Sequence, residues 1–151
     1  MRPLGHTVIS LAAGSILYNY GHSARIGLAS FLIASIFLDL DHYIDYVREH
    51  GVSLDFKKIC NAFRNCCNEF KRVTIFLHSY EVLILFWLCI FMFDLGVIWK
   101  YCAIGFTLHL LIDQIVNPMV PLAYFLSFRI ATNFETEKIF TKAFIKQGGR
   151  S

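Results

Sequence analysis

Four long apolar runs are the feature that most constrains the fold of this chain. They are rich in Leu, Ile, Phe, Val and Ala and comprise residues 7–20, 26–40, 73–93 and 95–116. Apolar sequence of this length predicts helices. A membrane span normally needs about 20 apolar residues. The last two runs reach that length alone, whereas the first two reach it only with flanking residues.

The composition is more apolar than that of an ordinary soluble domain. Of the 151 residues, 56% are hydrophobic and 17% are charged, against about 45–50% and about 25% in typical globular domains. Disorder is excluded by the same numbers, because it requires low hydrophobicity and high net charge. The net charge of +3 is far short of the concentrated basic surface of a nucleic-acid-binding protein. Five cysteines without a CxxC pair indicate neither a disulfide framework nor a zinc ribbon.

The basic residues predict an orientation in the membrane, because short cytoplasmic loops carry an excess of Lys and Arg. With four spans and both termini inside, every basic residue except Arg25 and Lys100 lies on the cytoplasmic side. A fifth apolar stretch, residues 119–131, contains Pro121 and Arg129. It is therefore predicted to be an interfacial or packing helix rather than a span.

Residues 53–72 form a basic amphipathic segment between the second and third runs. Phe, Ile and Cys recur every three or four residues, with Lys and Arg between them. This pattern predicts a cytoplasmic amphipathic helix, which either lies on the anionic leaflet or packs against the protein. We thus expect an all-α fold, with about four transmembrane helices in a bundle and this amphipathic helix. Residues 1–151 form one membrane-embedded domain that ends in a basic tail, residues 132–151.

Ionisable residues at the ends of apolar runs are costly and are functional hypotheses by default. Three of the runs each carry an imidazole beside a carboxylate, three or four residues apart and therefore on one helical face. The pairs are Asp39 with His42, His78 with Glu81, and His109 with Asp113, and the first two runs add His6 and Asp41. Helical bundles build metal sites from such ligands on facing helices. In the four-span topology all of these groups converge at the cytoplasmic side, which favours a metal site.

Each pair also has a structural interpretation. His109 with Asp113 fits a hydrogen-bonded pair that ties two helices together. Glu81 fits the first turn of a helix, whose N-terminal end a carboxylate stabilises. Asp41 lies about 200° around an ideal helix from Asp39, so its participation requires the second helix to end or bend there. Asn117 continues the stripe of His109 and Asp113 and is a candidate to orient a ligand.

The order of these motifs resembles that of the YdjM-type inner-membrane, metal-dependent hydrolases. The matching motifs are Gly5-His6-Thr7, Asp39-x-Asp41-His42, His78-Ser79 and His109-x-x-x-Asp113. That family is similar to the zinc phospholipase C and single-strand nuclease superfamily, all-helical proteins that hold metals with His and Asp. The resemblance implies metal-ligand roles for His6, Asp39, Asp41, His42, His78, His109 and Asp113.

Imidazole and carboxylate ligands suit a divalent metal, zinc first, with manganese or iron as alternatives. Such an ion activates water and stabilises charge on a phosphoryl oxygen. We therefore expect a metal-dependent hydrolase that acts on a phosphoester or phospholipid-type substrate, with Glu81 as a ligand or the general base. Its expected location is the cytoplasmic face of a bacterial or archaeal inner membrane, with both termini cytoplasmic. Membrane lipids are its expected partners and nucleic acid is not.

A non-enzymatic alternative remains open. The polar cluster would then bind or conduct a cation or a proton, or lock the helices together. A transport path would spread polar residues across the depth of the membrane, whereas here they are confined to one end, which favours a site. A third interpretation is a soluble phospholipase-like bundle with unusually apolar helices.

Overall fold

A computed structural model describes residues 24–64 and 69–148 of the chain. All regular elements in these two ranges are helical, apart from two isolated β-bridges, so the all-α prediction is confirmed there. The elements are α1 (Ala24–His50), α2 (Phe56–Arg64), α3 (Tyr80–Met92), α4 (Val97–Val116), a 3₁₀ turn (Pro121–Tyr124), α5 (Leu126–Ala131), α6 (Thr136–Ile139) and α7 (Lys142–Gly148). The first apolar run and His6 lie outside the described residues.

Helix α1 continues ten residues beyond the apolar run that predicts it. Its last three turns keep a buried stripe at helical spacing, comprising Leu38, Asp41, His42, Asp45 and Tyr46. Because the polar members of this stripe face the protein interior, the helix does not end where the hydrophobic sequence ends. It ends at His50. The next residue, Gly51, has a φ of 81° that favours glycine, and its N–H bonds the carbonyl of Val47 at 2.9 Å.

The third apolar run is not one helix, which corrects the sequence-based prediction. Residues 73–79, here called the connecting segment, are non-helical, and α3 begins only at Tyr80. The segment is irregular rather than helical, because the N–H groups of Thr74, Ile75 and Leu77 bond carboxylates of α1. It also contains a turn, in which the N–H of His78 bonds the carbonyl of Ile75 at 3.1 Å. Helix α3 is thereby shortened to 13 residues, about 20 Å at the usual helical rise.

Helices α3 and α4 form a hairpin that packs against α1. A tight turn through Asp94 and Gly96 joins them, closed by a hydrogen bond from the N–H of Leu95 to the carbonyl of Ile90 at 3.0 Å. Helix α4 begins two residues after the start of the predicted run and ends with it. It packs along both α1 and α3, so the hairpin and α1 together position the polar side chains of α4.

The predicted amphipathic segment contains helix α2, which covers residues 56–64. Asp55 caps its first turn by accepting hydrogen bonds from the N–H groups of Lys57 and Lys58, at 3.0 and 3.2 Å. Its apolar face packs inward through Ala62 and Phe63, which are buried, while the lysines remain exposed. The described part of this helix therefore packs against the rest of the protein, one of the two arrangements that its pattern predicts.

The predicted packing helix at residues 119–131 is broken into two pieces. Pro121 starts the 3₁₀ turn, and α5 follows after Phe125. Ala123 and Tyr124 are buried and belong to the same hydrophobic core as Leu110. Arg129 of α5 has no exposed surface. This stretch is thus a packing element, as predicted.

Within residues 24–64 and 69–148, no helix combines the length and the hydropathy needed to cross a membrane. Large apolar side chains are nevertheless exposed along the α3–α4 hairpin. They comprise Ile84, Leu85, Leu88, Phe91, Met92, Phe93, Val97, Ile98 and Trp99.

Candidate metal centre

Helix α1 supplies the first wall of a buried polar cluster. Asp41, His42 and Asp45 lie on its inner stripe and are between 3% and 8% exposed. Since α1 is continuous through these positions, Asp41 reaches the interior without the end of the helix that its predicted participation allowed for. Asp39 also lies in α1, but its side chain is outside what the structure describes.

The connecting segment supplies His78, the central member of the cluster. The imidazole is 1% exposed. Its Nδ1 lies 3.5 Å from Oδ2 of Asp41, and its Nε2 lies 3.4 Å from Oδ2 of Asp113. His78 therefore lies between the carboxylates of two different helices. If the third apolar run were one continuous helix, His78 would belong to α3, and that helix would determine the direction of its side chain.

Helix α4 supplies the opposite wall. His109 and Asp113 are one turn apart and buried, with Nε2 of the imidazole 3.6 Å from Oδ2 of the carboxylate. The same nitrogen of His109 lies 3.3 Å from Nε2 of His78. The predicted pairing of His109 with Asp113 on one face is confirmed, and both side chains face His78.

Three of these side chains form a group that could hold a metal ion. One ligand atom each from His42, His78 and Asp113 lie within 4.8 Å of one another, and all three residues are buried. Two imidazole nitrogens and a carboxylate oxygen are the donor types of zinc sites. Neither ring nitrogen of His42 has a hydrogen-bond partner among the described residues. Buried polar atoms usually have such a partner, so this histidine fits a ligand of an ion.

Space is present beside His42. A small cavity of about 20 Å³ is lined by His42, Phe63 and Asn117, among others. This volume admits about one water molecule. Asn117, predicted to continue the stripe of α4, is buried, and its backbone N–H bonds the carbonyl of Asp113 at 2.9 Å.

Burial shifts the pKa values of two ionisable side chains of α1. It lowers the pKa of His42 well below its usual range, and the neighbouring His78 adds to this effect. The imidazole of His42 is therefore neutral at neutral pH, which is the form that binds metals. Burial also raises the pKa of Asp41, opposed by the hydrogen bond from the N–H of Leu77.

The carboxylate of Glu81 lies at the start of α5. Its two carboxylate oxygens accept hydrogen bonds from the N–H groups of Leu126 and Ser127 at 2.8 and 2.9 Å, and from the Ser127 hydroxyl at 2.8 Å. The carboxylate thus caps the N-terminus of α5 and is not part of the three-residue group. These contacts lend no support to the predicted role of general base, which stays a prediction.

Two charged residues next to the cluster were not among the predicted site residues. Asp45 lies just beyond the second apolar run, and Arg129 is the charge that argues against a fifth span. The signal for Asp45 was its spacing of four residues from Asp41, which continues the inner stripe of α1. For Arg129 the signal was a single charge within an apolar stretch.

No protein family, curated protein or solved structure matches this chain. The resemblance to the YdjM-type hydrolases rests on the order of its motifs and stays a prediction.

Proposed function

We propose that this protein is a metal-dependent hydrolase that acts on a phosphoester or phospholipid-type substrate. The observation that carries the proposal is the buried group of His42, His78 and Asp113, whose ligand atoms lie within 4.8 Å of one another. These residues come from α1, the connecting segment and α4, so the folded chain is required to assemble them. A merely polar helix boundary would not bring three such side chains to one point.

In this proposal His42, His78 and Asp113 hold the ion. His109 and Asp41, which lie 3.3 and 3.5 Å from nitrogens of His78, complete the set or fix the orientation of that ring. Zinc is the proposed metal, with manganese and iron as alternatives. When bound, such an ion lowers the pKa of a coordinated water towards about 7 and stabilises charge on a phosphoryl oxygen. His6 and Asp39 remain predicted ligands.

The proposed location is the cytoplasmic face of an inner membrane, with both termini in the cytoplasm. Its support is the distribution of apolar surface. The α3–α4 turn lies at the start of α4, whereas Asp113 lies near its end. The largest group of exposed apolar residues lies on both sides of that turn, and a smaller group, Leu111, Ile115 and Val116, lies beside Asp113. If the turn of the hairpin inserts into the lipid, the group of His42, His78 and Asp113 lies closer to the headgroups than the turn does, where phospholipids are accessible.

The metal content of detergent-purified protein tests this proposal. We expect stoichiometric zinc, manganese or iron in the wild type and none in His78→Ala or Asp113→Ala, because each variant removes one ligand of the group. His50→Ala is the matched control. His50 is exposed at the end of α1 and bonds Glu69 at 3.0 Å, so its loss should leave the metal content unchanged. Retained metal in both ligand variants would overturn the assignment.

A second candidate is a polar lock between helices. The short distances from His78 to Asp41 and Asp113, 3.5 and 3.4 Å, favour it, because these contacts join α1 and α4 without an ion. In that case the wild type binds no metal after attempted reconstitution, and His78→Ala lowers stability by the same amount with and without added zinc.

A further inference from the structure

Arg129 is a buried cation that bonds backbone carbonyls. Its side chain has no exposed surface, and burial of a charge is costly unless hydrogen bonds compensate for it. Nη1 donates to the carbonyl of Ile75 at 2.7 Å, and Nη2 donates to the carbonyl of His78 at 3.0 Å. Both acceptors belong to the connecting segment. Burial lowers the pKa of Arg129 to about 10, so the guanidinium is still charged at neutral pH.

Carboxylates of α1 bond the backbone N–H groups of the same segment. Oδ2 of Asp45 accepts hydrogen bonds from the N–H groups of Thr74 and Ile75 at 2.6 and 3.0 Å. Oδ2 of Asp41 accepts from the N–H of Leu77. Three ionisable side chains, two carboxyl groups and one guanidinium, therefore bond the backbone of the residues that lead into His78.

The backbone of Ile75 is strained in this arrangement. Its φ is 29°, in a region that β-branched residues rarely adopt. Such a conformation costs about 1–3 kcal/mol and persists only where the surroundings determine it strongly. The N–H of Ile75 donates to Asp45 and its carbonyl accepts from Arg129. Hydrogen bonds on both sides of the residue therefore hold this strained conformation.

Arg129 is itself held in place by its surroundings. The carboxylate of Glu81 caps the first turn of α5, which ties this helix to α3. The carbonyl of Arg129 accepts a hydrogen bond from the N–H of Phe134 at 2.8 Å. The guanidinium thus extends from a fixed backbone towards the connecting segment.

We propose that Arg129 is a positioning residue of the metal centre, whose two-pronged contact with the carbonyls of Ile75 and His78 fixes the His78 imidazole between α1 and α4. This inference rests on the proposed function. A guanidinium suits the task because its donors form a rigid fork that reaches two acceptors at once, whereas an ammonium is a compact point charge on a flexible stem. The guanidinium bonds the backbone of the connecting segment and acts on the imidazole through the backbone of His78.

The test uses the full chain in detergent with Arg129→Gln and Arg129→Lys. The first readout is the affinity for Zn²⁺, measured by competition with a chromophoric chelator. The second is the hydrogen exchange of the Thr74, Ile75 and Leu77 amides. We expect Arg129→Gln to bind Zn²⁺ about 10–100-fold more weakly, as is typical when a partner that orients a ligand is lost, with faster exchange at these amides. Arg129→Lys should give a Zn²⁺ affinity and amide exchange rates between those of the wild type and those of Arg129→Gln.

Thr136→Val is the matched control. The Thr136 hydroxyl, also buried and in the C-terminal region, donates to the carbonyl of Phe70 at 2.8 Å, outside the connecting segment. This variant should lose stability while its affinity for Zn²⁺ and the exchange of the three amides stay at wild-type values. A purely structural role of Arg129 would make its variants behave in the same way.

Wild-type affinity or wild-type amide exchange in folded Arg129→Gln overturns the inference. If that variant does not fold, the same readouts on Arg129→Lys decide, and wild-type values there also overturn it. If the wild type binds no Zn²⁺, the proposed function fails. Amide exchange then decides alone whether Arg129 fixes the connecting segment, so the two failures are distinguishable.

Discussion

At the scale of single residues, the buried ionisable side chains distinguish this chain from an ordinary helical core. Most of them are compensated: Asp41 and Asp45 accept backbone N–H groups, and Arg129 donates to backbone carbonyls. His42 differs, because neither of its ring nitrogens has a hydrogen-bond partner among the described residues. A buried polar group without a partner costs about 1–3 kcal/mol. Such a cost is understandable if His42 is retained to bind an ion.

His42→Phe tests this interpretation. The substitution keeps an aromatic ring in a site that packs against Phe63, at 5.0 Å between ring centroids, and removes two unpartnered nitrogens. We expect the stability of the metal-free protein to be unchanged or raised. Zinc at 100 times its dissociation constant should stabilise the wild type by about 2.7 kcal/mol and the variant not at all. Thermal unfolding with excess zinc and with EDTA measures both effects.

A variant that keeps the full zinc-dependent stabilisation would exclude His42 as a ligand. A variant much less stable than the wild type in EDTA would instead show that the imidazole makes an interaction needed for folding, which would favour the polar lock between helices.

At the scale of elements, the main departure from the sequence-based prediction is the connecting segment. Residues 73–79 are as apolar as a helix requires, yet they are non-helical because Asp41, Asp45 and Arg129 bond their backbone groups. Helix α3 then starts late enough for His78 to precede it. Helix α1 departs in the other direction, because its polar stripe is buried and extends the helix past the apolar run.

Glu81→Ala separates a capping role from a catalytic one. The variant removes three hydrogen bonds at the start of α5, and loss of a helix cap costs about 0.5–2 kcal/mol. We expect this loss in the free energy of unfolding in denaturant, with stoichiometric metal retained. Loss of bound metal at unchanged stability would contradict the capping role and restore Glu81 as a ligand.

At the scale of the whole molecule, the largest group of exposed apolar side chains lies away from the polar cluster. His109 and Asp113 lie in the last two turns of α4, whereas this group surrounds the first turn of α4 and the end of α3. A smaller exposed group, Leu111, Ile115 and Val116, lies at the end of α4 beside Asp113. Exposed apolar patches of this kind mark interaction sites with membranes or proteins. The proposed function predicts membrane lipid as the partner of this surface.

Flotation with liposomes tests the membrane location. We expect the full chain to float with vesicles, and acyl-chain brominated lipids to quench the fluorescence of Trp99, which is 49% exposed near the start of α4. The variant Trp87→Phe leaves Trp99 as the single tryptophan and reports on this position alone. The matched variant Trp99→Phe leaves Trp87, which is only partly exposed and bonds Thr107. Protein that stays with the soluble fraction would contradict the proposed location.

The sequence by itself determined the helical class and the bounds of α4 to within two residues, and it predicted that His42, His78, His109 and Asp113 come together, because periodicity and buried charge are local signals. The tertiary structure decided the length of α1, the non-helical connecting segment and the contacts of Asp45 and Arg129. The hydrogen bonds responsible join residues 29 to 54 positions apart in the chain. Local spacing does not encode contacts of that range, which form only when α1, α4 and α5 pack around the segment.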